Sequence, residues 1–414
     1  MSAPAVRRMS VVVGVGAGIA AYKVCELVRR FTESGHEVTV IPTRAALEFV
    51  GTTTWEALSG RPVATGVFTD VHAVPHVSIG QRADLVVVAP ATADLLARAA
   101  HGLADDLLTS TLLTARCPVL YAPAMHTEMW EHPATQDNVA TLRSRGAVVV
   151  EPAVGRLTGA DTGKGRLPGP AGLFDLARVL LRRGADGLAP DLADRHVVVS
   201  AGGTREPLDP VRFLGNRSSG RMGYALATAA AARGATVTVV AANVALPDPA
   251  GVDVLHVETT HELRQEVLTA ATEADAVVMA AAPADYRPVH VAATKIKKPD
   301  DGSAPVIELA QNPDVLAELV RARSGREPLV VGFAAETGDD AGDVLAHARA
   351  KLARKGCDLL VVNDVSAGKV FGRGESEAVL LGADGSAVPV PLGPKEHLAD
   401  VIWDEVLRRL PDGR

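Results

Sequence analysis

HVVVSAGGTREPLDPVRFLGNRSSGRMGYALATAAAAR, residues 196–233, decides the fold. An apolar β-branched run at 196–200 feeds a glycine- and hydroxyl-rich turn over 201–223, and a small-residue helix is predicted over 224–233. A strand that passes through a glycine turn into a helix aims backbone N–H groups and the positive end of the helix dipole at one point, where a phosphate can sit. Many strand-to-helix connections do that much. This one adds Arg205, Arg212 and Arg217 for anionic groups, Asn216 as both donor and acceptor, and Ser218 and Ser219 as hydroxyl donors.

The same strand-then-helix rhythm extends in both directions. Short β-branched runs recur at 10–15, 37–41, 84–89, 118–121 and 147–150, and again at 236–241, 277–281, 329–332 and 359–362, with helical segments between them. That is the pattern of parallel sheets with crossover helices. Between the two series, GADGLAPDLADR at 184–195 has no apolar period and reads as a linker. The expected architecture is therefore α/β, two doubly wound Rossmann-like domains in series over residues 1–188 and 189–414. Residues 289–305, rich in Lys, Pro and Asp, match neither helix nor buried strand, and a long loop of this kind points to function or disorder.

Composition narrows the function. Of 414 residues 47% are hydrophobic but only 3% aromatic, so the cores are built from Ala, Val and Leu, which suits strands buried on both faces. A net charge of −7 offers no general attraction to nucleic acid or an anionic membrane. The three cysteines, Cys25, Cys117 and Cys357, have neither pairing nor metal-ligand spacing, which fits a reducing, cytoplasmic setting. No signal-peptide stretch opens the chain, and no run reaches the roughly 18 apolar residues of a membrane span.

Gly14-Val15-Gly16-Ala17-Gly18 follows a strand and opens a helix, which invites a nicotinamide reading. That fingerprint asks for an acid at the end of the second strand to hold the ribose, whereas the two domains have Pro42-Thr43 and Ala242-Asn243 there. A mononucleotide phosphate near Gly16, Gly18 and Thr43 fits better. Three further pieces fall at or just beyond strand ends: VPHVS at 74–78, APATAD at 89–94 and APAMHTEMW at 122–130. Taken singly, His76 is an ordinary histidine, and Met125, Met129 and Trp130 read as core packing.

Together with GIAAYK at 18–23, these pieces resemble the flavin-dependent cysteine decarboxylase family over residues 10–180. The resemblance implies FMN held by Gly16, Gly18, Thr43 and Thr92, with Ala124, Met125 and His126 in the cofactor and substrate pocket, and His76 as an acid/base group. It also implies oxidation of a cysteinyl thiol carbon by the flavin, loss of CO₂ and reduction of the resulting enethiolate. Two residues depart from the family pattern. His126 stands where Asn is common, and in the flap at 155–166 Gly159 replaces a proton-donating cysteine, leaving Asp161, His126 or water as the donor. An alternative follows from that second departure: a ligase whose N-terminal half is a flavin-binding assembly module.

The C-terminal half carries ADYRP at 284–288, KIKK at 295–298, NPD at 312–314, GFAAET at 332–337 and KLARK at 351–355. Several ammonium groups, a carboxylate and an aromatic ring near strand ends suit a nucleoside triphosphate with Mg²⁺, and no G-x-x-x-x-G-K-[ST] loop occurs. With the opening stretch, the pattern resembles phosphopantothenate–cysteine ligases, and its fusion behind a decarboxylase resembles the bifunctional enzymes of bacterial coenzyme A biosynthesis. The resemblance implies that CTP activates 4'-phosphopantothenate as an acyl-cytidylate, that cysteine displaces CMP, and that the phosphopantothenoylcysteine is then decarboxylated. Lys295 would neutralise charge on the phosphates, Asn216 would polarise the acyl group, and Arg212 would contact phosphopantothenate. Ser218, Ser219 and Gly220 would cradle the intermediate, and Ala281, Asp285, Asn312, Pro313, Asp314, Val315, Phe333, Lys351 and Lys355 would hold CTP or its cation. VFGRGESE at 370–377 is less like the family's ending. The family also implies a homo-oligomer of decarboxylase trimers and ligase dimers, up to a dodecamer.

Overall fold

The computed structural model describes residues 8–63, 75–157, 161–297, 304–336, 344–364 and 375–411. The chain divides into two compact units, one built mainly from residues up to Asp191 and the other mainly from Leu192 onward.

In the first unit the order is β1 (Ser10–Val15), α1 (Ala21–Glu33), β2 (Glu37–Pro42), α2 (Thr52–Ser59), α3 (Pro75–Arg82), β3 (Leu85–Ala91), α4 (Ala93–His101), α5 (Leu107–Thr114), β4 (Val119–Pro123), α6 (Thr127–Glu131), α7 (Pro133–Ser144) and β5 (Val148–Val149), followed by β6 (Ala153–Arg156), β7 (Thr162–Arg166) and α8 (Pro170–Arg183). Five strands form a wholly parallel sheet in the order β2-β1-β3-β4-β5. All seven residues of β3, LVVVAPA, are buried. A continuous apolar run is what a central strand covered by helices on both faces requires. Val12, Val86, Leu96, Leu108 and Trp130 lie in one core cluster, and Phe31 of α1 meets Phe174 of α8 edge-to-face at 5.2 Å. The strands β6 and β7 form a separate antiparallel hairpin.

In the second unit the order is β8 (His196–Gly202), β9 (Arg205–Pro207), β10 (Phe213–Gly215), α9 (Arg221–Ala232), β11 (Thr236–Ala242), β12 (Asp253–Val257), α10 (Thr260–Ala270), β13 (Ala276–Met279), β14 (Tyr286–Pro288), β15 (Leu309–Gln311), α11 (Val315–Ala322), β16 (Leu329–Glu336), α12 (Val344–Lys355), β17 (Leu359–Asp364), β18 (Glu375–Gly382), β19 (Ala387–Pro394) and α13 (Lys395–Leu407). Its eight-stranded sheet runs β12-β11-β8-β13-β16-β17-β18-β19. The six strands β12, β11, β8, β13, β16 and β17 pair in parallel, whereas β18 and β19 add antiparallel at one edge. Trp403 of α13 is fully buried, and its indole N–H donates to Leu226 O of α9 at 2.9 Å.

Two local expectations change. The stretch at 201–223 is not one turn: β9 and β10 pair within it as an antiparallel hairpin, and α9 begins at Arg221, three residues before the predicted start. The sheet of the second unit also continues beyond the run at 359–362 into the antiparallel edge. The loop reading of 289–305 holds for its described residues, which form neither helix nor strand.

Candidate functional sites

Each parallel sheet gathers its chemistry at the carboxyl edge of its strands, where open α/β sheets bind ligands. In the first unit, hydrogen bonds join the segments leaving neighbouring strands: Thr43 N–H to Val15 O at 2.8 Å, Gly16 N–H to Pro90 O at 3.1 Å, and Ala124 N–H to Ala91 O at 3.1 Å. The Gly16 contact leaves no room for a side chain, since an added Cβ would stand 2.3 Å from Pro90 O. Thr43 and Thr92 occupy N-cap positions, their hydroxyl oxygens accepting from Ala46 and Leu95 N–H at 3.2 Å each. A hydroxyl that accepts in a cap keeps its hydrogen for a second partner. The N–H groups of Gly18, Ile19 and Ala20 meet no acceptor among the described residues. This donor set suits the phosphate of a mononucleotide.

His76 lies in the first turn of α3. That helix leads directly into β3, so it runs back across the sheet and brings its N-terminal end toward the carboxyl edge. Thr114 Oγ1 donates to His76 O at 2.7 Å, fixing the backbone, while the imidazole Nδ1 is buried without a partner among the described residues. A buried polar atom left unpaired is costly unless a ligand completes it. Met125 is half-buried against the core and Trp130 is buried, as packing residues should be, but Met129 is exposed. His126 caps α6 through its backbone and carries an exposed side chain.

The β6–β7 hairpin docks beside this edge. Met125 N–H donates to Gly165 O at 3.0 Å, and Glu151 holds both Arg143 at 2.7 Å and Lys164 at 2.9 Å. Burial opposes the charge on Glu151, yet bonds and attraction from Arg143 and Lys164 outweigh it and hold the carboxyl below its usual range. Asp161 is exposed, and Gly159 lies outside the described residues. Lys23, on α1, is held below the ordinary lysine range by burial and by the charge of Arg166 at the end of β7.

In the second unit, the ends of β8, β11 and β13 are likewise joined. Gly203 N–H donates to Ala242 O at 3.0 Å and Ala282 N–H to Gly202 O at 2.8 Å. Gly202 has φ +84°, and a Cβ there would stand 2.0 Å from Ala242 O, so only glycine makes this turn. Asn243, where a dinucleotide site would place an acid, instead braces backbone: its amide donates to Gly203 O at 3.0 Å and Glu258 O at 2.9 Å.

A buried polar network supports the two small hairpins above this edge, β9–β10 and β14–β15. Thr260 donates both its N–H at 2.9 Å and its hydroxyl at 2.7 Å to Glu206, whose residue is 4% exposed. Because the Thr260 hydrogen is committed there, the 2.9 Å contact between Thr204 and Thr260 hydroxyls must be donated by Thr204, which in turn accepts from Ala284 N–H at 2.8 Å. Asn312 closes the network, donating to Ala284 O at 2.9 Å and accepting from Arg287 at 3.1 Å. Thr204 and Glu206 stand in the opening stretch without a role that the sequence assigns, and Thr260 stands in no motif; their contacts span 54 to 80 residues.

On this support the expected residues come together in part. Asn216 is exposed and donates to Pro283 O at 2.8 Å, bringing the NRSSG segment against ADYRP. Arg212 donates to Ile296 O at 2.6 Å, bringing the DPVR turn beside Lys295. Ser218 and Ser219 lead into Gly220 and the start of α9, with Gly220 N–H 3.5 Å from Ser218 Oγ. Ala281 N–H donates to the buried Ser200 Oγ at 3.1 Å, Asp285 accepts Asn312 N–H through its carbonyl at 2.8 Å, and Pro313 is exposed. Asp314 caps α11 and is paired with Lys355; burial opposes its charge, but Lys355 and Ala317 N–H hold the carboxyl below its usual range. Val315 is buried, Phe333 is half-buried within β16, and Lys351 lies on α12. Lys298 and Thr337 lie outside the described residues, as does most of 370–377. Among the described residues no group of three His, Cys, Asp or Glu side chains is arranged to hold a metal, and no helix is long and apolar enough to cross a membrane.

Two family models divide the chain between them: Flavoprotein matches residues 4–180, and the DNA/pantothenate metabolism flavoprotein C-terminal domain matches 192–410. The molecule is thus a two-module enzyme of the flavoprotein class. The chain is 62% identical over 402 residues to the coenzyme A biosynthesis bifunctional protein CoaBC of Mycobacterium tuberculosis (strain ATCC 25618 / H37Rv), covering 96% of both chains, and 40% identical over 399 residues to CoaBC of Vibrio vulnificus (strain CMCP6), again with 96% of both covered. It belongs to this family of bifunctional coenzyme A biosynthesis enzymes. Among solved structures, the C-terminal domain of a CoaBC protein aligns at TM-score 0.45 and 32% identity over 54% of this chain and 98% of that one. The FMN-dependent cysteine decarboxylase SpaF aligns at TM-score 0.38 and 33% identity over 43% and 97%.

Proposed function

We propose that residues 189–414 join cysteine to 4'-phosphopantothenate through an acyl-cytidylate formed from CTP, and that residues 1–188 decarboxylate the phosphopantothenoylcysteine with FMN. The observation that carries the ligase reading is the meeting of three separate motifs at one sheet edge: Asn216 against Pro283, and Arg212 against the backbone beside Lys295. A carboxylate is a poor electrophile and must first be activated. The exposed Lys295 ammonium neutralises charge developing on the phosphates, and Arg212, whose side chain is 46% exposed, binds an anionic group of the substrate. With one amide hydrogen on Pro283 O, Asn216 retains its other hydrogen and its oxygen for the acyl group and the incoming amine. Mg²⁺ enters with the triphosphate, as this hard cation commonly does.

FMN would be held by Gly16, the N–H groups at Gly18, the Thr43 and Thr92 hydroxyls, and the segment Ala124-Met125-His126. When bound, the flavin supplies the two-electron acceptor that makes the neighbouring carboxyl group labile. His76 holds or moves a proton at the substrate through the imidazole whose Nδ1 is otherwise unpartnered, and the docked β6–β7 hairpin excludes water. The exposed Val211, Phe213 and Leu214 beside β9, and Tyr286 and Leu309 of the second hairpin, support self-association of the ligase unit, within an oligomer that also contains decarboxylase trimers. The setting is cytoplasmic.

The deciding experiment follows pyrophosphate and CO₂ from the full-length protein. Pyrophosphate should require CTP, Mg²⁺ and phosphopantothenate together, and phosphopantothenoylcysteine should release CO₂ from flavin-loaded protein. Pyrophosphate release without phosphopantothenate would overturn the ligase reading. Bound flavin without CO₂ release would leave the N-terminal half as an assembly module.

A further inference from the structure

Lys295 lies in a described stretch, 289–297, that has no helix or strand to hold it. An ammonium on an unsupported segment must be ordered at entropic cost each time it acts, and a displacement of about 1 Å can cost about 100-fold in rate. The backbone on both sides of Lys295 is nevertheless fastened. Ala292 N–H donates to Leu208 O at 3.0 Å. On the other side, Ile296 N–H donates to Asp209 Oδ2 at 3.1 Å, while Ile296 O accepts from Arg212 Nη2 at 2.6 Å. Both backbone polar groups of the residue next to Lys295 are therefore held from the turn between β9 and β10.

Asp209 organises this clasp. Its side chain is 0% exposed and accepts Val211 and Arg212 N–H at 2.8 Å each, as well as Ile296 N–H. Arg212 Nε stands 3.2 Å from Oδ2, the oxygen that also accepts Ile296 N–H, which orients the guanidinium toward Ile296 O. Burial opposes the charge, but the N–H groups of Val211, Ile296 and Arg212, with the Arg212 charge, prevail and hold the carboxyl below its usual range. A turn alone needs only the two local N–H bonds. The third N–H comes from 87 residues away and ties the turn to the loop.

We propose that Asp209 is a positioning residue of the ligase: it holds Lys295 at the activating site through the backbone of Ile296 and the orientation of Arg212, without itself touching substrate or nucleotide. This rests on the role of Lys295 proposed above, and the test separates the two ideas. Full-length D209N, K295M and the double variant are compared for pyrophosphate release, for hydrogen exchange over residues 289–297 and for melting temperature.

D209N should lower kcat about 100-fold, speed exchange in that stretch and leave flavin content unchanged. In the K295M background the same substitution should lower the rate less than about twofold further, because its effect passes through the lysine. I296P, which deletes the N–H from the loop side and leaves the Asp209 turn in place, should reproduce the loss even where D209N folds poorly. Fully additive losses in the double variant, or unchanged exchange over 289–297 in D209N, would overturn the clasp. A wild-type rate in K295M would overturn the reading of Lys295 itself.

Discussion

At the carboxyl edge of the first sheet, the groups proposed to hold the flavin belong to the ends of regular elements: Thr43 and Thr92 at caps, Gly16 where the chain leaves β1. The second sheet has the same parallel plan but carries two added hairpins at that edge, braced from beneath by Glu206, Thr204, Thr260 and Asn312. A site made from element ends is as rigid as the sheet that supplies them. A site made from three-residue strands needs its own internal support, because so short a hairpin is not stable alone. One fold plan thus gives an edge of capped element ends in one unit, the proposed cofactor seat, and in the other a platform that holds Asn216 and Arg212 out toward solvent.

The largest test of this contrast is Glu206→Ala. It leaves the Thr260 N–H and hydroxyl buried without an acceptor, at a cost of about 4 kcal/mol. Pyrophosphate release should disappear and an early thermal transition should emerge, while CO₂ release from supplied phosphopantothenoylcysteine persists. Equal loss of both activities would break the distinction between the units. The converse is Gly16→Ala, whose Cβ would stand 2.3 Å from Pro90 O. Flavin content should fall at least about tenfold, a shift of about 1.4 kcal/mol, with pyrophosphate release unchanged. Normal flavin occupancy would show that this close approach is not part of the seat.

A smaller effect is expected from Thr92→Val. Losing the cap on Leu95 N–H should lower stability by about 1 kcal/mol, and losing the hydroxyl should weaken flavin binding about fivefold in a titration. Smallest are the thiols, which test whether the two cores are equally closed. Burial pushes Cys117 of the first unit and Cys357 of the second up to about 11. A folded-state value above the ordinary thiol value of 9.0 favours folding below pH 9, and that contribution is lost as pH rises toward about 11. Both should resist alkylation at pH 8 and become reactive together with alkaline loosening. Rapid labelling of either at pH 8 would mark its unit as the more open one.

The parallel sheets were legible because strands such as β3 are continuous β-branched runs, and burial on both faces selects for that composition. The hairpins were not. Phe213–Gly215 is exposed throughout and has no apolar alternation, so its strand character comes only from pairing with Arg205–Pro207. The site shows the same division. Gly16, Thr43, Asn216 and Lys295 stand in motifs that can be read along the chain, whereas the Asp209–Ile296 contact depends on two segments 87 residues apart. Asn312, expected at the nucleotide, has its amide engaged within the supporting network, a relation that spacing alone does not encode.

The outermost strand of the second sheet, β19, reads AVPVPLGP. Val388 and Val390 face β18 in register with Leu380 and Ala378, so the alternating Pro389 and Pro391 turn their ring nitrogens outward. An edge that lacks two of its outward N–H donors is a poor template for another strand, which guards a long sheet against runaway stacking with neighbouring molecules in a crowded cell.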